Sequence, residues 1–171
     1  MVLILIGIFL EISPIISSQK DVKRWKRTIA SSVSGETELT EKKYPFLLEI
    51  PAIGYKGLVR EGADQKVLKR GPGVLRGYPG ESSTWIAGHR VPATFWNLPR
   101  LKIGDTVIVF LPDGRRYVYS VKGMAIVSPD DNSEIERVAQ ESDLVLFTCY
   151  PLGIAKKRWL VICICKRKEI L

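Results

Sequence analysis

The chain has 171 residues, 46% hydrophobic and 26% charged, enough for one domain with a real core and unlike a disordered or low-complexity segment. Its formal net charge is +8, of which about +6 lies from Tyr44 onward. A basic surface suits nucleic acid, an anionic membrane or an anionic wall polymer, so charge alone selects none of them.

Val2 to Leu10 is an unbroken apolar run, and after Glu11 the apolar character resumes from Ile12 to Ile16 around Pro14. A membrane-spanning helix wants about 20 apolar residues, and a signal peptide opens on positive charge. Residues 1–19 are therefore read as a partial membrane anchor or signal-like segment, with membrane contact through this end. Residues 20–43 are read as a linker. It opens with the basic stretch KDVKRWKR (Lys20 to Arg27), which sits awkwardly with an outward-facing domain under the positive-inside rule. Its remainder, Thr28 to Lys43, is rich in Ser, Thr and Glu.

Residues 44–168 carry the domain. Phe46 to Ile50 predicts a strand ended by Pro51, and Tyr55 to Val59 a second. Asp64 to Lys69 predicts a helical turn before the break Gly71-Pro72-Gly73. Thr84 to Gly88 is a compact strand running into His89. Thr106 to Leu111 and Arg116 to Val127 are β-rich around Pro112-Asp113-Gly114, a hairpin signal. Ser133 to Ala139 predicts a short helix with Ser133 as its cap. Leu144 to Cys149 and Arg158 to Cys165 are apolar enough for buried strands. Seven or eight strands with short helices predict a mainly β fold, closed into a barrel because closure removes exposed edges.

Three cysteines leave at least one thiol outside any internal pairing. Cys163 and Cys165 lie two apart on one strand, so their Cα atoms are roughly 6.6 Å apart with parallel side chains, poor geometry for a disulfide. Both are read as small core residues, which leaves Cys149 as the thiol needing its own explanation. It ends a predicted strand in LVLFTCYP, and the single histidine, His89, ends another in TWIAGHR. Arg158 opens the last strand nine residues after Cys149. A thiol attacks as thiolate, and an imidazole can take or balance that charge. A guanidinium keeps its charge and offers donors in a fixed fork, suited to a developing oxyanion.

AGHR (Ala87 to Arg90), FWNLPRLKIGDTVIV downstream, TCYP (Thr148 to Pro151) and the later Arg-hydrophobic run resemble, in order and spacing, the sortase family over roughly Pro45 to Lys166. His89-Arg90 with Phe95, Leu98, Leu101 and Gly104-Asp105 looks most like its class D subgroup, with classes C and E as neighbours. The resemblance implies a closed eight-stranded sortase-type β-barrel with short helices, in an extracytoplasmic enzyme at a Gram-positive-type cell membrane. It implies cleavage of an LPxTG-like sorting motif between Thr and Gly, a thioester on Cys149, and transfer to an amine of a peptidoglycan precursor or pilin. Substrate proteins with C-terminal sorting signals and that amine acceptor are the implied partners, and no cofactor is required. Carried over by position, Cys149 is the nucleophile, His89 the general acid and then base, and Arg158 the donor to the substrate carbonyl.

Thr148 and Tyr150 flank the nucleophile and are candidate substrate-binding residues, with core packing the alternative for Thr148. Phe95 and Trp96 are read as bracing the barrel, and Arg90 as a surface or supporting group. Asp130, Asp131, Glu134 and Glu136 form an acidic stretch that reads as a solvated loop and helix start rather than a calcium site. One histidine and three dispersed cysteines lack zinc-ligand spacing, and GPGVLRG lacks a nucleotide-loop pattern, so no metal is expected. A competing reading is a small basic β-barrel that binds wall polymer or nucleic acid without catalysis. Only YVYSVK (Tyr117 to Lys122) approaches the interleaved basic and aromatic pattern of such barrels, so nucleic acid is not expected as a partner. A cysteine hydrolase that only cleaves is a third reading.

Overall fold

The computed structural model describes residues 19–27, 29 and 43–170; the apolar run at residues 2–16 lies outside them. Eight strands close into a barrel in the order β1-β2-β3-β4-β7-β8-β6-β5. They are β1 (Phe46–Ile50), β2 (Tyr55–Glu61), β3 (Gly73–Arg76), β4 (Thr84–Ala87), β5 (Thr106–Phe110), β6 (Arg115–Val127), β7 (Leu144–Tyr150) and β8 (Lys157–Ile170). Short helices α2 (Gln65–Leu68) and α3 (Asn132–Gln140) sit in connections, and α1 comprises residues 19–27.

Alternation along the strands decides what fills the barrel. Ile86 of β4, Leu144 and Leu146 of β7, and Val161 and Cys163 of β8 join Phe46, Leu48, Val107 and Tyr119 in the main core. Their neighbours Trp85, Val145 and Leu160 point the other way and pack under Val138 of α3. Two pairings are parallel, β2 with β3 and β4 with β7; the rest are antiparallel. The β5–β6 hairpin turns at Asp113 and Gly114, where Gly114 takes a φ of 85°.

Four expectations need correction. The break at Gly71-Pro72-Gly73 in fact opens a strand, β3, because a side chain at Gly73 would collide with the Gly62 carbonyl and only glycine lets β2 and β3 approach. The cap of α3 is Asp131, which accepts the Glu134 amide at 3.1 Å and the Ser133 hydroxyl at 2.8 Å. Cys165 is exposed, whereas Cys163 is buried. β7 begins at Leu144, opposite Cys163, so beyond that point β8 has lost its partner on one side and Cys165 opens onto solvent.

The fourth concerns the linker, whose first part is helical and docked. Val22 packs on Leu47 and Leu58 with Trp25 and Phe110 beside them, and Trp25 Nε1 donates to the Pro45 carbonyl at 2.8 Å. Asp21 pairs with Arg60 of β2 at 3.5 Å. Trp25→Ala removes the larger apolar anchor and the hydrogen bond, so trypsin should cut at Lys23 to Lys26 much faster while barrel unfolding changes little. Unchanged cleavage there would show that the helix is held by other contacts.

Candidate active site

β4 and β7 run parallel, pairing Thr84 with Leu144 through Ala87 with Phe147. The register continues past the end of β4: the Gly88 amide donates to the Phe147 carbonyl at 3.1 Å, and the Thr148 hydroxyl donates to the Gly88 carbonyl at 2.8 Å. One residue further brings His89 level with Cys149. On the other side of β7, the antiparallel β8 sets Arg158 directly opposite Cys149. Cα atoms in such pairs are about 5 Å apart. Three positions from distant parts of the sequence thus lie side by side on three neighbouring strands. By alternation they share the face of Trp85, Val145 and Leu160, outside the main core.

Each member is held locally. The His89 carbonyl accepts from the Phe95 amide at 3.1 Å and also from the Thr94 hydroxyl, so the loop after β4 folds back and fixes the histidine's backbone. Cys149 is half-buried. Arg158 Nη1 donates to the Ala155 and Lys157 carbonyls at 2.8 and 2.9 Å, tying one side of its fork to the β7–β8 connection. Burial pushes the Cys163 thiol up to about 12, and burial also raises the exposed-rim thiol of Cys165.

The flanking residues fall differently. Thr148 is buried, with its hydroxyl committed to the Gly88 carbonyl, so it ties β7 to β4. The Tyr150 ring lies 5.6 Å from that of Trp159, and the Arg90 guanidinium sits 5.8 Å over it. Phe95 is fully buried and braces the site against Gly88 and Tyr55. Trp96, expected to brace as well, is exposed, because the turn after Phe95 rotates it outward. Asp131 and Glu134 serve α3 as its cap and as the partner of Arg137, and among the described residues no three His, Cys, Asp or Glu side chains gather as a metal site.

A groove of about 610 Å³ opens beside His89, lined also by Tyr55, Arg60, Arg70 and Thr94. No local pattern marks this groove, since its walls come from β2, the α2–β3 connection, α1 and the loop after β4.

A native alkylation series should label Cys149 and Cys165 and spare Cys163. Labelling at Cys165 should rise with pH, because its raised thiol forms thiolate late. Modification of Cys163 at the same rate as the others, in folded protein, would contradict its burial.

A side chain added at Gly88 would press into the Phe95 ring. Gly88→Ala should therefore cost about 1–3 kcal/mol of stability and displace His89. Thermal melting and turnover together check this; normal values of both would remove the packing constraint.

The comparisons agree with this architecture. A family profile described as the sortase domain matches residues 48–165. Sortase D of Bacillus subtilis (strain 168) is 31% identical over 147 residues, covering 77% of this chain and 73% of that protein. The catalytic domain of B. anthracis SrtD superposes with a TM-score of 0.59 at 27% identity, covering 80% of this chain and 97% of that one. Sortase A from Corynebacterium diphtheriae shares the fold at a TM-score of 0.64 and 23% identity; the match covers 75% of this chain and 63% of that chain. A closed eight-stranded barrel and a matching profile over most of its length leave one conclusion: the chain belongs to the sortase family and is a sortase-type cysteine transpeptidase.

Proposed function

We propose that the chain cuts an LPxTG-like sorting motif between Thr and Gly and joins the new acyl end to an amine of a peptidoglycan precursor or pilin. The observation that carries this reading is the register that sets His89, Cys149 and Arg158 side by side on one barrel face. The Cys149 thiolate attacks the threonine carbonyl, and Arg158 donates to the oxygen as it gains charge. His89 gives its proton to the leaving glycine amine as the C–N bond breaks. It then takes the proton of the incoming amine, which displaces Cys149. Dividing amide exchange into two thioester steps lowers the barrier of each.

The apolar residues 2–16 fit attachment to a cell membrane with the barrel on the outer side, which places it beside sorting signals and wall precursors. Among the described residues no helix is long and apolar enough to cross a membrane.

The test is incubation with LPxTG-type peptides and amine acceptors, reading thioester and ligated product by mass spectrometry. Cys149→Ala should abolish both products. His89→Ala should lose about 10² to 10⁴ in rate. Arg158→Lys keeps the charge and loses the planar fork, so it should cost about 10² to 10³ in kcat, with Lys157→Ala as the control from the same connection. Equal activity in those two variants would return Arg158 to the surface charges, and ligated product formed without Cys149 would overturn its role as nucleophile.

A further inference from the structure

The groove beside His89 has a chemical gradient along it. His89, Val91, Ala93 and Thr94 form one end, and Arg60, Lys69 and Arg70 form the other. Arg60 is firmly placed: its Nη1 donates to the Arg70 carbonyl at 3.1 Å, and its side chain is only 17% exposed. Lys69 and Arg70 are exposed. The carboxylate at this end is Asp21 of α1, 3.5 Å from Arg60 and itself 49% exposed. Burial and then the Arg70 charge push the Arg60 pKa down, and Asp21 only partly offsets them. Two guanidiniums and an ammonium thus line this end of the groove, where Asp21 pairs with Arg60 alone.

Sheet order says which substrate meets this groove. Strands run β2-β3-β4-β7-β8, so Cys149 and Arg158 lie to one side of His89 and the groove lies to the other. The thioester carbonyl belongs with Cys149 and Arg158. The amine that must surrender a proton to His89 therefore arrives from the β2–β3 side. There its nitrogen bonds to the thioester carbon, the C–S bond breaks, and His89 takes the proton the nitrogen gives up, which restores the Cys149 thiolate and protonated His89 that begin the cycle.

We propose that this groove is the acceptor subsite and that Arg60, Lys69 and Arg70 select an amine bearing a nearby carboxylate, with Asp21 as the resident anion it displaces. This rests on the transpeptidase reading above and names its acceptor class. Charge-assisted bonds from guanidinium to carboxylate are the stronger kind and favour such a ligand over its uncharged amide.

The experiment uses the full chain, a donor peptide that acylates Cys149, and two acceptors: Nα-acetyl-lysine and its carboxamide. Both offer the same ε-amine and differ only in the carboxylate. The expected kcat/KM ratio is about tenfold in favour of the acid, about 1.4 kcal/mol. The ratio should shrink in raised salt, approach unity in Arg60→Gln and in the exposed Arg70→Gln, and increase in Asp21→Asn. The ratio is unaffected by a general loss of activity, so an impaired variant still reports. Equal transfer to both acceptors from a thioester that forms normally overturns the subsite. A ratio that persists in both arginine variants does the same. Failure of the thioester to form, seen as no mass shift on Cys149, defeats the parent reading instead.

Discussion

Everything at the site depends on one parallel strand pairing. If β4 and β7 ran antiparallel, His89 and Cys149 would leave the sheet at opposite ends of the barrel. Parallel pairing delivers both to the same rim, and the pairing is secured at that rim by the buried bond from the Thr148 hydroxyl to the Gly88 carbonyl. A buried polar group left unpaired costs about 1–3 kcal/mol, so this bond has a preferred partner and a preferred register. A slip by one residue would turn Cys149 into the core and Thr148 onto the open face. Thr148 therefore fixes, through geometry, which way Cys149 faces.

Alternation divides the labour further. His89, Cys149 and Arg158 share one face, and the residues that follow them, Arg90, Tyr150 and Trp159, form a second cluster. There the Arg90 guanidinium lies over the Tyr150 ring, that ring tilts against Trp159, and Trp159 packs on the main core. Cation–π and aromatic pairs of this kind contribute about 0.5–1.5 kcal/mol each. Arg90 Nε and Trp159 Nε1 are buried without a hydrogen-bond partner among the described residues. The chain accepts that cost directly beneath the site, where strand ends would otherwise fray. Each of the three positions thus has a neighbour whose packing restrains it.

Much of this was legible in the sequence. Strands ending in TWIAGHR and LVLFTCYP, with an arginine opening the last apolar run, place three reactive groups at strand ends. Local pattern could also find the Asp64 turn and the Asp113-Gly114 hairpin, because their signals lie within a few residues. What it missed depends on contacts far apart in sequence. β3 needs the close approach of Gly73 to Gly62, which no periodicity reveals. The exposure of Cys165 depends on where β7 starts, at Leu144, far earlier in the chain. Thr148 and Cys149 look alike as neighbours in a string, and only the barrel says which one is buried against Gly88. In α1, the anchoring side chains are just Val22 and Trp25 among basic residues, too small an apolar stripe to distinguish from a linker.

The same helix changes the meaning of the net charge. Several of the barrel's cations are neutralised locally: Arg115 by Asp113, Arg116 and Arg167 by Glu169, and Arg137 by Glu134 and Glu141. These pairs are largely exposed and contribute little to stability, but they remove positive charge from the surface that would attract a polyanion. Lys69 and Arg70 make no ion pair among the described residues, and Lys156 and Lys157 line the exposed connection that leads to Arg158. Uncompensated charge is therefore present on both sides of the His89–Cys149–Arg158 row. Field from such a cluster, focused by the walls of a groove, raises the local concentration of anionic ligands. Asp21 brings a negative charge to that groove on a helix secured by few contacts, so the strength of the field depends on where α1 sits. Part of the charge that seemed a uniform property of the sequence becomes, once folded, a feature of the groove beside His89.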